Sequence, residues 1–471
     1  MTPAGKAAAE GGGSADLYEI RRKIYPRAVT GVFARWRWAT VWLTQLAFYG
    51  LPWLSWNERP AILFDLINRR FYLFGVVLYP QDFIYLTALL VISALSLFLF
   101  TAIAGRLWCG YACPQTVYTE IFMWIERRVE GDRPARIRLD REGLSARKLR
   151  LKATKHALWF AVALWTGLSF VGYFTPIREL LAKFASLGLG PWETFWILFY
   201  GFATWGNAGF MREQVCIYMC PYARFQSAMF DRDTLIITYD EARGEPRGSR
   251  PRKTDPKALG LGDCVNCGLC VEVCPTGIDI REGLQYQCIG CAACVDACNR
   301  VMDRVGYPRG LIRYDTENGL ANRWPRKQLL RRVRRPRVLV YSSVLAALAI
   351  ALLAHLALRI PLKVDVIRDR GALGREVENG QVENVYRLVL INSAEIPRTL
   401  RLGVGGIDSI YIASATEVSV PAANTQAVAV RVRVPPERAA RPGMNPIEFS
   451  VTATDDASVS VREKSTFFVP Q

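Results

Sequence analysis

Histidine is almost absent from this sequence, which has only two, His156 and His355, among 471 residues. Both lie in apolar stretches, where a packed imidazole is more common than a metal ligand. Any transition-metal site must therefore depend mostly on thiolate ligands.

Cysteine is missing from the first 108 and the last 173 positions, and all twelve cysteines lie in tight groups between residues 109 and 298. Such grouping indicates metal binding and argues against a disulfide framework.

Motifs for other redox cofactors are missing as well. No G-x-G-x-x-G follows a strand-like stretch, and no C-x-x-C-H occurs, so no nicotinamide, flavin or haem site is indicated. Any electron donor is then expected to be external. The first 17 residues are small and polar without the apolar core of a signal peptide, and we expect residues 1–35 to form a cytoplasmic tail.

The chain is too apolar for a wholly soluble protein, since 51% of its residues are hydrophobic and its mean hydropathy is +0.11. Residues 61–79 are interrupted by Asp65, Arg69 and Arg70, so we expect an interfacial hairpin or half-helix there instead of a further span. Five other stretches are long and apolar enough to cross a membrane at about 1.5 Å per residue. They are residues 38–56, 83–104, 156–174, 192–210 and 338–358.

Basic residues are distributed unevenly around these stretches. Lys plus Arg number seven in residues 1–37, twelve in 105–155 and twenty-two in 211–337, but only three and two in the intervening connections. The positive-inside rule then predicts a cytoplasmic N-terminus, two large cytoplasmic connections and a periplasmic segment after the fifth span. This placement accounts for the net charge of +18, so the charge does not indicate nucleic-acid binding.

Residues 359–471 alternate apolar and polar residues in short runs separated by turn residues. This pattern predicts about seven β-strands and suits an immunoglobulin-like sandwich. Because the segment contains no Cys or His, we expect a docking or stabilising module without redox chemistry. The clearest predicted strands are residues 385–392, 410–414, 426–434, 447–454 and 458–469.

The pattern C-x2-C-x2-C-x3-C occurs twice between residues 264 and 298, and proline follows the first copy. In bacterial ferredoxins the first three cysteines of a run bind one [4Fe–4S] cluster and the fourth binds the other. Zinc knuckles are the alternative, but zinc sites usually combine two pairs of ligands. Asn299 replaces the proline after the second run, at a position that shapes a turn and binds no iron. The predicted ligand sets are Cys264, Cys267, Cys270 and Cys298 for one cluster, and Cys274, Cys288, Cys291 and Cys294 for the other.

Four further cysteines, which we call the edge cysteines, form two C-x3-C-P pairs: Cys109 with Cys113, and Cys216 with Cys220. Each pair follows the cytoplasmic end of a predicted span, so both can meet at one membrane depth. Helical spacing would put the two sulfurs of a pair on one face, and soft thiolates suit Cu(I). The two pairs could therefore build a four-thiolate site or offer ligands to Cu(I). A third cluster, or small buried residues that bind no metal, are the open alternatives.

With its WCGYACPQT and CIYMCPYARFQ motifs, eight-cysteine insert, last apolar span and β-rich tail, the chain resembles the cytochrome c oxidase accessory protein family, called CcoG, FixG or RdxA. The resemblance covers nearly the whole chain and implies a membrane-bound polyferredoxin of the bacterial inner membrane. It also implies reduction of Cu(II) to Cu(I) during assembly of cbb3-type oxidase, with copper and oxidase assembly factors as partners. On this basis we predict Cys109, Cys113, Cys216 and Cys220 as the catalytic and copper-binding residues.

The expected fold is a polytopic α-helical membrane domain of about five helices, with an inserted 2[4Fe–4S] ferredoxin-like domain and a C-terminal all-β immunoglobulin-like sandwich. Membrane lipid and an external electron donor are further expected partners, and homo-oligomerisation stays open. Two other functions compete: an electron relay between a cytoplasmic donor or quinone and a partner reductase, and a non-enzymatic copper-binding scaffold. The predicted boundaries are 1–35 for the tail, 36–230 for the four-helix membrane domain, 231–337 for the ferredoxin domain, 338–358 for the fifth helix and 359–471 for the sandwich.

Overall fold

The structure is a computed structural model that describes residues 23–251, 257–369, 374–436 and 441–470. Most of the predicted N-terminal tail lies outside the described residues. The described helices are α1 Val32–Gly50, α2 Phe83–Ala104, α3 Leu107–Tyr111, α4 Pro114–Glu130, α5 Arg133–Arg141, α6 Ala146–Val171, α7 Ile177–Ala185, α8 Pro191–Thr204, α9 Pro221–Met229, α10 Glu241–Gly244, α11 Leu269–Glu272, α12 Ala293–Val305, α13 Glu317–Ala321, α14 Arg326–Arg332 and α15 Pro336–Ala357.

Strands are concentrated after α15, with smaller sheets earlier in the chain. The described strands are β1 Ser55–Trp56, β2 Arg59–Pro60, β3 Ile62–Asp65, β4 Arg70–Leu73, β5 Val76–Leu78, β6 Ile236–Tyr239, β7 Ile312–Asp315, β8 Leu362–Arg368, β9 Arg375–Glu376, β10 Val382–Asn392, β11 Arg398–Gly405, β12 Tyr411–Ile412, β13 Glu417–Val420, β14 Asn424–Val434, β15 Gly443–Ala453 and β16 Ser460–Val469.

Helices occupy all five stretches predicted to cross a membrane. Within the described residues, two helical segments, Pro80–Ala104 and Pro336–Ala357, are long and apolar enough to do so. They correspond to α2 and α15, which pack against each other. The predicted first span, 38–56, extends too far, because α1 ends at Gly50, just before Pro52 in the next turn. Proline provides no backbone N–H and disfavours helix in the residue before it.

Residues 62–78 form the three-stranded antiparallel sheet β3–β4–β5. The half-helix alternative was therefore wrong, and a hairpin structure is present. The interrupting charges lie at the β3–β4 turn, where Asp65 pairs in register with Arg70 and accepts a hydrogen bond from the backbone of Asn68 at 2.9 Å. The sheet packs through Tyr72 and its neighbours against Ile391 of the C-terminal domain.

The C-terminal domain contains two antiparallel sheets packed face to face. One has the strand order β12–β14–β10–β8, with β9 also paired to β10, and the other has the order β13–β11–β15–β16. Tyr386, Leu388, Phe449 and Phe467 are buried between the sheets in one apolar core. All five strands located from the sequence are present, in β10, β12, β14, β15 and β16, while β8, β9, β11 and β13 were not located.

The ferredoxin-like region contains the antiparallel pair β6–β7, the short helix α11 within its first cysteine run and the 13-residue helix α12, which begins within the second run. It docks on the start of α1 through Asp296, a buried residue of α12. The backbone amides of Phe33 and Ala34 donate to this carboxylate at 3.3 and 2.7 Å. These amides have no partner within their own helix, so Asp296 caps the N-terminus of α1 from another domain.

Candidate iron–sulfur sites

The first predicted ligand set surrounds one cavity of about 360 Å³, which we call the first cavity. Its lining includes Cys264, Cys267, Cys270 and Cys298, together with apolar side chains of α12 and β7. The thiol of Cys298 lies within electrostatic range of the other three. The structure thus places the last cysteine of the second run with the first three cysteines of the first run.

The second predicted set lines a neighbouring cavity of about 330 Å³, the second cavity. Here Cys274, from the end of the first run, joins Cys288, Cys291 and Cys294. All six pairs among these four thiols lie within electrostatic range of one another. Cys270 of the first set also borders this cavity, so the two cavities are adjacent.

The turns between the cysteines share a backbone feature that explains how both runs wrap around their cavities. Each of the four two-residue spacers contains one residue with positive φ: Asn266 at 52°, Gly268 at 66°, Gly290 at 69° and Ala292 at 57°. A left-handed residue reverses the chain and turns successive backbone N–H groups toward one concave side, which suits an anionic group. Ala292 holds this conformation although a Cβ makes it unfavourable.

The electrostatics of the second cavity fit an anionic cluster. Burial raises the pKa of Cys288 to about 12, so the thiol stays protonated unless a metal cation displaces its proton. Two buried arginines, Arg37 and Arg106, lie within electrostatic range of Cys291 and Cys288 respectively. The Nε atom of each arginine is buried without a hydrogen-bond partner. Arg37 also lies within electrostatic range of Glu120 and Asp296, whereas no ion pair joins Arg106 to a carboxylate within the described residues, so negative charge in the cavity would compensate Arg106.

The four edge cysteines converge from two distant parts of the chain. Cys109 lies in α3 and Cys113 precedes α4, while Cys216 lies in a π-helical turn, Val215–Met219, and Cys220 precedes α9. All six pairs among their thiols are within electrostatic range. We call this group the edge thiols. π-Helical turns are frequent at functional sites, and here one replaces the α-helix in the second pair.

Burial dominates the electrostatics of the edge thiols. It raises the pKa of Cys109 to about 11 and, with the neighbouring thiols, that of Cys216 to about 12. Burial also raises the pKa of Cys113, although the backbone N–H groups of Gln115 and Thr116 act in the opposite direction. The amide of the fully buried Gln226 donates to the sulfur of Cys109 at 3.5 Å. The edge thiols therefore stay protonated unless a metal cation displaces their protons.

The edge thiols adjoin the second cavity directly. A Cβ added to Gly110 would lie 2.8 Å from the Cα of Cys291, so the two backbones are in contact. Cys216 and Cys291 line the same cleft. The guanidinium of Arg106 lies within electrostatic range of Cys109, Cys216 and Cys288, and donates to the backbone carbonyls of Tyr286 and Ala223.

No site for a single metal ion is preformed by the thiols of the described residues. Among the described residues, no three His, Cys, Asp or Glu side chains are arranged to hold one ion. This statement covers the edge thiols and both ferredoxin sets alike, because all twelve cysteines are described. The copper site predicted from the sequence is thus not preformed in this structure.

Sequence reasoning missed the residues that surround the thiols: Arg37, Arg106, Gln226 and Asp296. One signal was present, because an arginine precedes each C-x3-C-P pair by three or four residues, Arg106 in the first and Arg212 in the second. Arg37 and Gln226 lie near cysteines that are far away along the chain, Cys291 and Cys109, and Asp296 contacts the distant start of α1. Only the folded structure brings them together.

Models of three protein families match this chain. A 4Fe-4S binding domain matches residues 86–131, a 4Fe-4S dicluster domain matches residues 211–317, and the IG-like fold at the C-terminal of FixG matches residues 352–470. Together with the two cysteine-lined cavities, these matches define an iron–sulfur electron-transfer protein with a ferredoxin-type domain and an immunoglobulin-like C-terminal domain.

Curated relatives identify the family. The chain is 41% identical over 425 residues to protein RdxB of Cereibacter sphaeroides, covering 88% of this chain and 89% of RdxB. It is 40% identical over 404 residues to protein RdxA of the same organism, with 83% and 84% covered. It is also 40% identical over 422 residues to nitrogen fixation protein FixG of Rhizobium meliloti, with 83% and 80% covered. The chain belongs to the FixG/RdxA family.

Proposed function

We propose that this protein is a membrane-bound electron-transfer protein that reduces Cu(II) to Cu(I) for the assembly of cbb3-type cytochrome c oxidase. One observation carries the proposal: the backbone contact between Gly110, inside the first edge pair, and Cys291 of the second ferredoxin set. Electron transfer needs short distances between centres, and this contact brings the ferredoxin-like region next to a group of soft ligands.

The proposed location is the bacterial inner membrane, crossed by α1, α2, α6, α8 and α15. The apolar side chains of α2 support it, since Leu89, Leu90 and Phe98 are exposed on this helix. The basic connections would then lie in the cytoplasm together with the ferredoxin-like region. The immunoglobulin-like domain would lie in the periplasm, where assembly factors could dock on it.

The residues around the cavities hold, bury and electrostatically balance the redox groups. Two [4Fe–4S] clusters, when bound, would supply one-electron carriers in the two cavities. We assign Cys264, Cys267, Cys270 and Cys298 to one and Cys274, Cys288, Cys291 and Cys294 to the other. Each Cu(II) substrate ion accepts one electron, supplied by an external low-potential donor, and leaves as Cu(I). The reaction transfers no proton or atom, so the protein needs no general acid or base.

A second candidate function, an electron relay with a membrane quinone, is favoured by an apolar cavity near the same contact. Trp36, Trp108, Tyr111 and Tyr314 contribute to its lining, and its volume is about 1050 Å³ including the open side. The hydroxyl of Tyr314 donates to the backbone carbonyl of Gly290 at 2.6 Å, next to Cys291. A planar, apolar ligand in this cavity would therefore lie close to the second cavity.

The proposal is tested with the full chain purified anaerobically in detergent, reduced and then desalted to remove excess reductant. Addition of Cu(II) with a chromogenic Cu(I) chelator should yield Cu(I) in proportion to the electrons stored. Cys216→Ala should lower the yield, whereas Tyr218→Phe, an exposed neighbour in the same turn, should not.

Three outcomes would contradict the copper-reductase proposal. Cluster-loaded wild-type protein that leaves Cu(II) unreduced would remove it outright. Reduction of a soluble quinone analogue without reduction of Cu(II) would establish the relay. Tight copper binding without any oxidation of the reduced protein would indicate a scaffold.

A further inference from the structure

We propose that the four edge thiols, Cys109, Cys113, Cys216 and Cys220, hold a third [4Fe–4S] cluster. Their arrangement repeats that of the second ferredoxin set, since in both groups all six pairs of thiols lie within electrostatic range. In both groups the ligands come from two separate segments of the chain. The inference is independent of copper as the electron acceptor.

A cluster and a single metal ion need different arrangements of their thiolate ligands. A metal ion bound by thiolates at about 2.3 Å requires the sulfurs to approach one another within about 4 Å. No three potential ligands in the described part of the chain are arranged in this way. A cubane carries its thiolates on four separate iron atoms at its corners, so its ligands stand further apart. The edge thiols and the two ferredoxin sets both lack a preformed single-ion arrangement, as expected of cluster ligands.

The charge around the group also suits a cluster with four thiolates, which is anionic. Arg106 is 6% exposed, has an Nε atom without a partner, and lies within electrostatic range of Cys109 and Cys216. A buried guanidinium without a carboxylate partner is costly unless other negative charge compensates it. Protonated thiols at Cys109 and Cys216 would not compensate the charge of Arg106, because they are neutral.

Both C-x3-C-P pairs place their second cysteine at the start of a helix. Cys113 precedes α4, which has 17 residues, and Cys220 precedes α9, which has nine. Proline occupies the first helical position in both, where its missing N–H costs nothing. The N–H groups of Gln115 and Thr116 point back to the sulfur of Cys113. Free N–H groups and the helix dipole at these two ends favour thiolates over thiols.

The family matches agree with this count of ligands. The 4Fe-4S binding domain that matches residues 86–131 contains only two cysteines here, Cys109 and Cys113. A cubane needs four thiolates, so two must come from elsewhere. The match over residues 211–317 contains Cys216 and Cys220 in addition to the eight cysteines of the ferredoxin sets. The edge thiols bring together the two halves of one ligand set. Copper then meets the protein as a substrate and not as a resident ion.

Iron content tests the proposal on the full chain purified anaerobically and loaded with iron and sulfide. Wild-type protein should contain about twelve iron atoms per chain, and the Cys109→Ala/Cys216→Ala double variant about eight. The ratio of iron contents should therefore be about 1.5. Tyr218→Phe serves as the matched control and should match wild type. A ratio near 1, with about eight iron atoms in both proteins, would overturn the proposal.

A second measurement needs no variant, so it tests the third cluster even if the double variant loses all its clusters. All four edge thiols are partly exposed, so free thiols there should react with iodoacetamide in the folded protein during a long incubation at alkaline pH, which offsets the raised pKa of Cys109 and Cys216. In cluster-loaded wild-type protein we expect them to be protected as fully as the eight ferredoxin cysteines. Alkylation of the edge thiols alone, a disulfide between them, or copper in place of iron would each overturn the third cluster.

Discussion

Replacing Asp296 by Ala should undock the ferredoxin-like region from α1. The carboxylate of Asp296 is 6% exposed and accepts hydrogen bonds from the amides of Phe33 and Ala34 at 3.3 and 2.7 Å. Loss of a helix cap costs about 0.5–2 kcal/mol, and each buried N–H left without a partner costs about 1–3 kcal/mol. Because these terms overlap, we expect about 2–3 kcal/mol in total, which is a 30- to 140-fold shift in the docking equilibrium.

Hydrogen–deuterium exchange of the detergent-solubilised full chain measures this shift. Peptides covering residues 31–37 and 290–300 should exchange faster in Asp296→Ala by about that factor, while the iron content stays at the wild-type value. Asp303→Ala is the matched control, since Asp303 lies on the same helix α12 in an exposed pair with Arg309 at 2.6 Å. It should leave exchange unchanged.

Two results would refute this reasoning. If Asp296→Ala and Asp303→Ala gave equal exchange, the capping contact would not hold the domains together. Faster exchange throughout the chain, accompanied by loss of iron, would mean that Asp296 supports the ferredoxin fold itself. A second perturbation checks the same contact from the other side. A Cβ on Gly31 would lie 2.2 Å from the Cγ of Asp296, so Gly31→Ala should reproduce the effect.

Two further sites give predictions. Glu126→Gln should lower the free energy of unfolding by about 3 kcal/mol in chemical denaturation, because it removes the buried carboxylate that pairs with Arg136 and Arg212 at 3.0 Å and leaves both arginines without their partner. The exposed Glu317→Gln should not lower it. Burial raises the pKa of Glu126 but those arginines lower it further, so the net pKa is lowered. The stability that Glu126 contributes should therefore be present above about pH 4.3 and disappear as the pH falls through the lower pKa of the folded state. If wild type and Glu126→Gln differed in unfolding free energy by the same amount at acidic and neutral pH, this would be contradicted. In Gly110→Ala the added methyl group would overlap Cys291, which should weaken docking by about 1–3 kcal/mol. Cu(II) reduction should then be slower while the iron content is unchanged. Gly143→Ala is the control, because Gly143 has open space around it, and it should match wild type in the same assay.

The grouping of the eight ferredoxin cysteines around two cavities could be predicted because it depends on spacing within short segments, while their binding of iron stays a prediction. Three cysteines separated by two residues can turn around one cluster wherever the segment lies, so the spacing alone sorts the eight cysteines from Cys264 to Cys298 into two sets. The left-handed residues that produce these turns were not predictable at Ala292, since alanine disfavours positive φ.

The contacts between domains were not predictable from a single sequence. In the sequence, Asp296 cannot be distinguished from any other carboxylate on a helix. Only the fold brings it to the amides of α1, more than 260 residues away. The same holds for Gly110 and Cys291. The charges at Asp65, Arg69 and Arg70 correctly indicated an interruption. They mark the turn of a β-sheet, which local charge alone could not distinguish from a half-helix.

A single-turnover reaction followed by rapid-freeze EPR tests the central claim most directly. Anaerobic full-chain protein, reduced and freed of excess reductant, is mixed with Cu(II), and the Cu(II) and reduced-cluster signals are recorded together. The account predicts that both signals disappear in equal amounts in wild-type protein and that both persist in the Cys109→Ala/Cys216→Ala variant. Reduced clusters that persist beside Cu(II) in wild-type protein would contradict it.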